Sequence, residues 1–207
     1  MEIKLIETSG FVSCFNTLRK PHKLENRSET AFSIASPKEP VTGFQVISIA
    51  SSISIDAKDL ELLKKLIKSG DEHAKAIRLI DCTLEINAPL YFWSEMDTYE
   101  VGVTNGCSES TMHTLKKKEV IKDDFENNSV TDGAIHSLNS LIKINASIED
   151  VKCILPSGYL QRRDIKISYQ TLQRIYKQRH SHKLQCWRQF CDFIETLPLS
   201  ELITNKN

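Results

Sequence analysis

Residues 77–96 read Ile77-Arg-Leu-Ile-Asp-Cys-Thr-Leu-Glu-Ile-Asn-Ala-Pro-Leu-Tyr-Phe-Trp-Ser-Glu-Met96. Ile77 and Leu79, then Cys82, Leu84 and Ile86 after a slip at Ile80, alternate with polar residues. A period of two puts one face of a strand in a core, so residues 77–87 are expected to form a strand with a bulge. Pro89 breaks the alternation and is suited to open a helix over residues 90–96. The polar stretch 97–111, with Gly102 and Gly106, reads as a loop.

Upstream, residues 56–70 give the clearest helix. Asp56 is a natural N-cap, Asp59 and Glu61 suit the positive helix end, and Gly70 suits the C-terminal stop. Leu60, Leu63, Leu66 and Ile67 form its apolar stripe. Ile3 and Leu5 mark a first strand, and residues 44–50 another. Residues 16–43 between them read as a long loop or a short helix with loops. Downstream, Asp132 is expected to cap a helix carrying Ile135, Leu138, Leu141 and Ile142. Residues 148–155 follow as a short helix stopped by Pro156, and residues 168–197 as one long helix ended by Pro198. Strands early and helices late give an α+β fold, expected as a single domain over residues 1–207.

Composition narrows the function. The chain has 207 residues, 27 Lys plus Arg and 27 Asp plus Glu, so its formal charge is zero. That excludes a generally basic coat for nucleic acid or membrane. No apolar run approaches the roughly 20 residues that cross a bilayer. The first residues lack the basic start and apolar core of a secretion signal, so a cytoplasmic location is expected. The six cysteines include no Cys-x-x-Cys pair. They read as scattered buried thiols, and Cys186 and Cys191 with His180 and His182 do not keep one helical face for a metal.

The zero charge hides an asymmetry. Between residues 152 and 190 stand nine cations against the single acid Asp164, so the remaining 18 basic residues face 26 acidic ones. A cationic segment on an acidic body suits an anion such as a nucleotide phosphate. A solvated face with salt bridges explains it equally well. Nucleic-acid binding ranks lower, because few aromatics interleave. Ser108 and Cys107 have no identifiable base beside them, and Trp93 and Trp187 read as core residues.

Two blocks carry a family resemblance. The first is Thr83-Leu-Glu-Ile-Asn-Ala-Pro-Leu-Tyr-Phe, followed at fixed distance by Asn105 and Ser108. The second is Leu155-Pro156, followed by Leu172, Arg179 and Gln185. In order and spacing they resemble the flavin-dependent thymidylate synthases (thymidylate synthase complementing proteins). The resemblance spans roughly residues 56–197.

It implies an antiparallel sheet with long helices and a homotetramer with sites at subunit contacts. It also implies binding of FAD, dUMP, a methylene-tetrahydrofolate and NADPH. Transferred residue by residue, it assigns the nucleotide to Arg179, Ser108, Asn105, Gln185 and Lys152, and the cofactor to Tyr99 and Lys183. The family's Arg-His-Arg reads Thr98-Tyr99-Glu100 here. Its Glu after Asn is Gly106, the Arg two places after the Ser is Ser110, and the His of its His-Ala-Gln is Lys183. The Asn and Arg that open the family's long helix are Ser168 and Gln170. Losing Arg forks removes bidentate donors, and a carboxylate at Glu100 repels a pyrophosphate. Two expectations follow. One is a divergent enzyme performing reductive methylation of dUMP; the other is a catalytically inactive homologue that binds a nucleotide or other subunits.

Overall fold

The computed structural model describes residues 1–22, 30–34 and 51–205. Its elements are β1 (Glu2–Ser9), α1 (Phe11–Thr17), β2 (Ala31–Ile34), β3 (Ser51–Ser54), α2 (Ala57–Lys68), β4 (Asp81–Pro89), α3 (Leu90–Met96) and β5 (Val103–Ser108). They continue with α4 (Thr111–Thr114), α5 (Asp132–Lys143), α6 (Ile148–Cys153), β6 (Leu160–Ser168), α7 (Tyr169–Arg179), α8 (Gln185–Ile194) and α9 (Glu201–Thr204). The α+β expectation holds. A four-stranded antiparallel sheet runs β1-β4-β6-β5, and β2 pairs antiparallel with β3 in a separate two-stranded sheet.

One face of the sheet builds the main core. Cys82, Leu84, Ile86 and Ala88 of β4 and Ile165 and Ile167 of β6 are buried there. They meet Leu172 and Ile175 of α7 and Trp187, Phe190 and Ile194 of α8 in one apolar cluster. The other face is polar, with ladders such as Arg162 to Glu85 and Lys166 to Asp81. A smaller core gathers Leu115, Val120, Phe125, Leu138, Val151 and Tyr159 under α5 and α6.

Several sequence expectations change. Residues 75–79 form a 3-10 turn, and the strand begins only at Asp81. Residues 97–111 are not all loop: β5 lies within them, pairing Val103 with Ile167 and Asn105 with Ile165. β6 had no counterpart in the sequence reading, because its open face carries Arg162, Asp164 and Lys166 and only Ile165 and Ile167 betray the alternation. The long helix is two helices. The chain turns at residues 180–184, and Arg188 Nη1 donates to the carbonyls of His182 (2.6 Å) and Lys183 (2.9 Å), satisfying groups that a continuous helix would have bonded.

Thr131, rather than Asp132, caps α5, accepting from the Ala134 amide. α2 is as expected, with Asp56 accepting from the Lys58 amide. Asp59, however, is buried and accepts from Arg19 Nε at 2.6 Å, so it is a tertiary anchor and not only a partner of the helix dipole. The expected strand at residues 44–50 lies outside the described residues, as do residues 23–29 and 35–43 of the expected loop. No helix among the described residues is long and apolar enough to cross a membrane.

Candidate functional site

α7 places its apolar residues inward, and Gln170, Arg174, Lys177 and Gln178 line a cleft on its outer side. The spacing of three, four and seven keeps these four on one stripe. Its start is clamped to the loop before β5. The Ser168 amide donates to the Gly102 carbonyl at 2.9 Å, and Thr171 Oγ1 donates to the Val101 carbonyl at 2.7 Å. Ser168 caps the helix by accepting from the Thr171 amide. Gly102 has φ +78°, and an added Cβ would lie 2.4 Å from Thr171 Oγ1 and 2.6 Å from Ser168 Oγ. Only glycine suits both the left-handed backbone and the close approach.

Along this stripe lies a groove in two parts. The larger, about 560 Å³, holds the cations Arg78, Lys166, Arg174 and Lys177 and the acids Asp71 and Asp81. The smaller, about 380 Å³, includes Thr98, Tyr99, Glu100 and Arg179, and shares Val101, Arg174 and Gln178 with the first. Lys166 is answered by Asp81 at 3.3 Å. Arg78 donates through Nε to the Gln170 amide oxygen at 2.6 Å. Arg174 lies 5.7 Å from the Tyr99 ring centroid, with a long bond to the Val101 carbonyl. Among the described residues, no carboxylate pairs with Arg78, Arg174 or Lys177. The groove is thus a concave cationic surface fit for an anion with a polar body.

Arg179 is in the opposite situation. Nη1 donates to Glu95 Oε2 at 2.7 Å and lies 2.9 Å from His182 Nε2, while Nε donates to the Tyr99 hydroxyl at 2.9 Å. Its guanidinium lies 4.6 Å from the Trp187 ring centroid, and Trp187 Nε1 also donates to Glu95 Oε2. Tyr99, itself buried, donates its proton to Gln178 Oε1 at 2.8 Å. The guanidinium thus ties α3, the 180–184 turn and α8 together.

The structure brings Tyr99 and Arg179 into contact. The others stand apart. Asn105 and Ser108 are exposed on β5, with the strand irregular at Gly106 and Cys107 between them. Lys152 is exposed on α6, Lys183 in the 180–184 turn, and Gln185 at the start of α8. None of these five lines either part of the groove or bonds to Arg179. Glu95 and Arg78 carried no signal in the sequence, and His182 was weighed only as a metal ligand. Arg174 and Lys177 were visible only as members of the basic segment. Among the described residues, four of that segment's nine cations (Arg162, Arg163, Lys166 and Arg179) have an ion-pair partner.

Four thiols are buried in the core. Burial pushes Cys14, Cys82 and Cys191 up to about 12 and Cys186 to about 11, so they are inert as nucleophiles. Cys107 and Cys153 are exposed. Among the described residues, no group of three or more His, Cys, Asp or Glu is placed to hold a metal.

No protein-family model and no curated protein matches the chain. Solved structures do. Flavin-dependent thymidylate synthase ThyX from Helicobacter pylori, complexed with FAD and dUMP, superposes with a TM-score of 0.71 at 16% identity, covering 99% of this chain and 97% of that one. A second structure of that enzyme with FAD and dUMP gives 0.70 at the same identity and coverage. The UMP/dUMP methylase PolB from Streptomyces cacaoi, bound with 5-Br dUMP, gives 0.61 at 12% identity, covering 94% of this chain and 88% of that one. The chain has the ThyX-like α+β fold.

Proposed function

We propose that this chain is a divergent thymidylate synthase-like protein that binds dUMP or a related pyrimidine nucleotide along the outer face of α7. The observation that carries this reading is the trio Arg78, Arg174 and Lys177, which no carboxylate answers among the described residues, in one 560 Å³ cleft. A phosphate dianion takes charge-assisted bonds from such groups. Support comes from the fold, whose solved relatives were complexed with dUMP or 5-Br dUMP.

FAD belongs to the same proposal. The Tyr99 hydroxyl is used inside the chain, so a flavin pyrophosphate in the smaller part of the groove would be met by Arg174, which both parts share, leaving Arg78 and Lys177 to the nucleotide. When bound, the flavin would supply hydride chemistry, and the protein would hold the nucleotide phosphate and exclude solvent along α7. Reductive methylation of dUMP would further require methylene-tetrahydrofolate and NADPH. A homotetramer is part of the reading too. The exposed Asn105, Ser108, Lys152, Lys183 and Gln185 would reach a nucleotide only where another copy completes the site.

A second reading, an inactive homologue that binds the nucleotide without chemistry, is favoured by Thr98-Tyr99-Glu100. Calorimetric titration with dUMP tests the shared part: saturable binding is expected, and no heat at millimolar ligand rejects both readings. Tritium release from C5-labelled dUMP with FAD, folate and NADPH separates them. Release establishes the enzyme, and its absence despite binding establishes the inactive homologue.

A further inference from the structure

A second cleft of about 740 Å³ opens beside the first, and Arg78 lines both. Its floor comes from a surplus of apolar surface on α2. Leu63 and Ile67 are fully committed to the core, whereas Leu62 and Leu66, one helical turn apart, are half-buried and line the cleft. Facing them, the 75–79 turn contributes Leu79, which is 41% exposed. With Leu18 at the end of α1, four leucines from three elements border one cavity of the size that holds a small molecule.

The rim has the opposite chemistry. Arg19 is answered by Asp59, and Glu72 lies 3.7 Å from the His73 ring. Lys75 and Arg78 have no carboxylate partner among the described residues. An apolar floor below two unanswered cations complements a molecule with a hydrocarbon body and a single negative head.

We propose that this cleft binds an amphipathic carboxylate, its aliphatic body against Leu62, Leu66 and Leu79 and its carboxylate at Lys75 and Arg78. The site shares Arg78 with the groove and otherwise stands on α2 and the 75–79 turn, so octanoate titrated without nucleotide reads it separately from the groove.

The test is calorimetric titration of the full chain with octanoate, with 1-octanol as the uncharged molecule of equal chain length. Octanoate is expected to bind saturably, and octanol at least about tenfold more weakly, the factor that one charge-assisted contact supplies. In Lys75→Gln/Arg78→Gln the two ligands become equal. In Leu79→Glu octanoate binding is lost. This position is already exposed, so the variant is expected to fold, and Leu66→Gln gives the same readout should Leu79→Glu melt early. Failure of octanoate to saturate, equal binding of octanol to the unaltered chain, or octanoate binding kept in both leucine variants would overturn the proposal.

Discussion

Arg174 and Arg179 stand on the same helix, and their surroundings are opposites. Arg179 is consumed by Glu95, Tyr99, His182 and the face of Trp187. Arg174 faces a cleft, and among the described residues its neighbours of note are a distant carbonyl and the face of the Tyr99 ring. A cation on a helix therefore says little about ligands until the fold shows whether a carboxylate already answers it. Matching Arg179 to a motif finds a residue. It does not find a free guanidinium.

The comparison breaks hardest at Trp187, which is fully buried beneath the Arg179 guanidinium and donates to Glu95. Trp187→Ala should cost about 4 kcal/mol in urea denaturation, since a large core side chain is lost and Glu95 loses a donor. A loss below about 1 kcal/mol would mean that the cluster does not hold α3 to α8.

Next in size is the contrast itself. Arg179→Ala should cost about 2 kcal/mol, a value kept modest because the side chain is 20% exposed, whereas Arg174→Ala should stay within about 0.5 kcal/mol. Equal losses in thermal melting would erase the distinction between the two arginines.

The same division, between groups the fold has claimed and groups it leaves open, runs through the cysteines. Cys107 and Cys153 should react promptly with a disulfide reagent, and the other four only on unfolding. Burial raises the Cys14 and Cys82 thiols from 9.0 to about 12. The folded chain therefore keeps protons that the unfolded chain gives up. Stability is fully present below pH 9 and declines as pH rises from there toward 12. Cys14→Ala/Cys82→Ala should flatten that decline, and an unchanged slope would show that other groups cause it.

The pattern of legibility follows the same physics. α2 and β4 were readable because one face of each is apolar and their ends carry a cap or a proline. β6 was hidden because its outer face bears charges that a sequence reader takes for a loop. The break at residues 180–184 was hidden because nothing there is proline or glycine, and Arg188 satisfies the turn from a distance. In the site, the basic segment was visible as a count, but its assignment to Arg179 was not decisive. The answering Glu95 lies on another helix, and Arg78 sits in a turn read as strand.

The most direct test is dUMP affinity in two variants compared with the unaltered chain. Arg174→Ala/Lys177→Ala should lose at least about tenfold, and Arg179→Ala no more than about threefold while remaining folded. The opposite order, with Arg179→Ala the more damaging and the groove double variant unchanged, would contradict the placement of the nucleotide along α7.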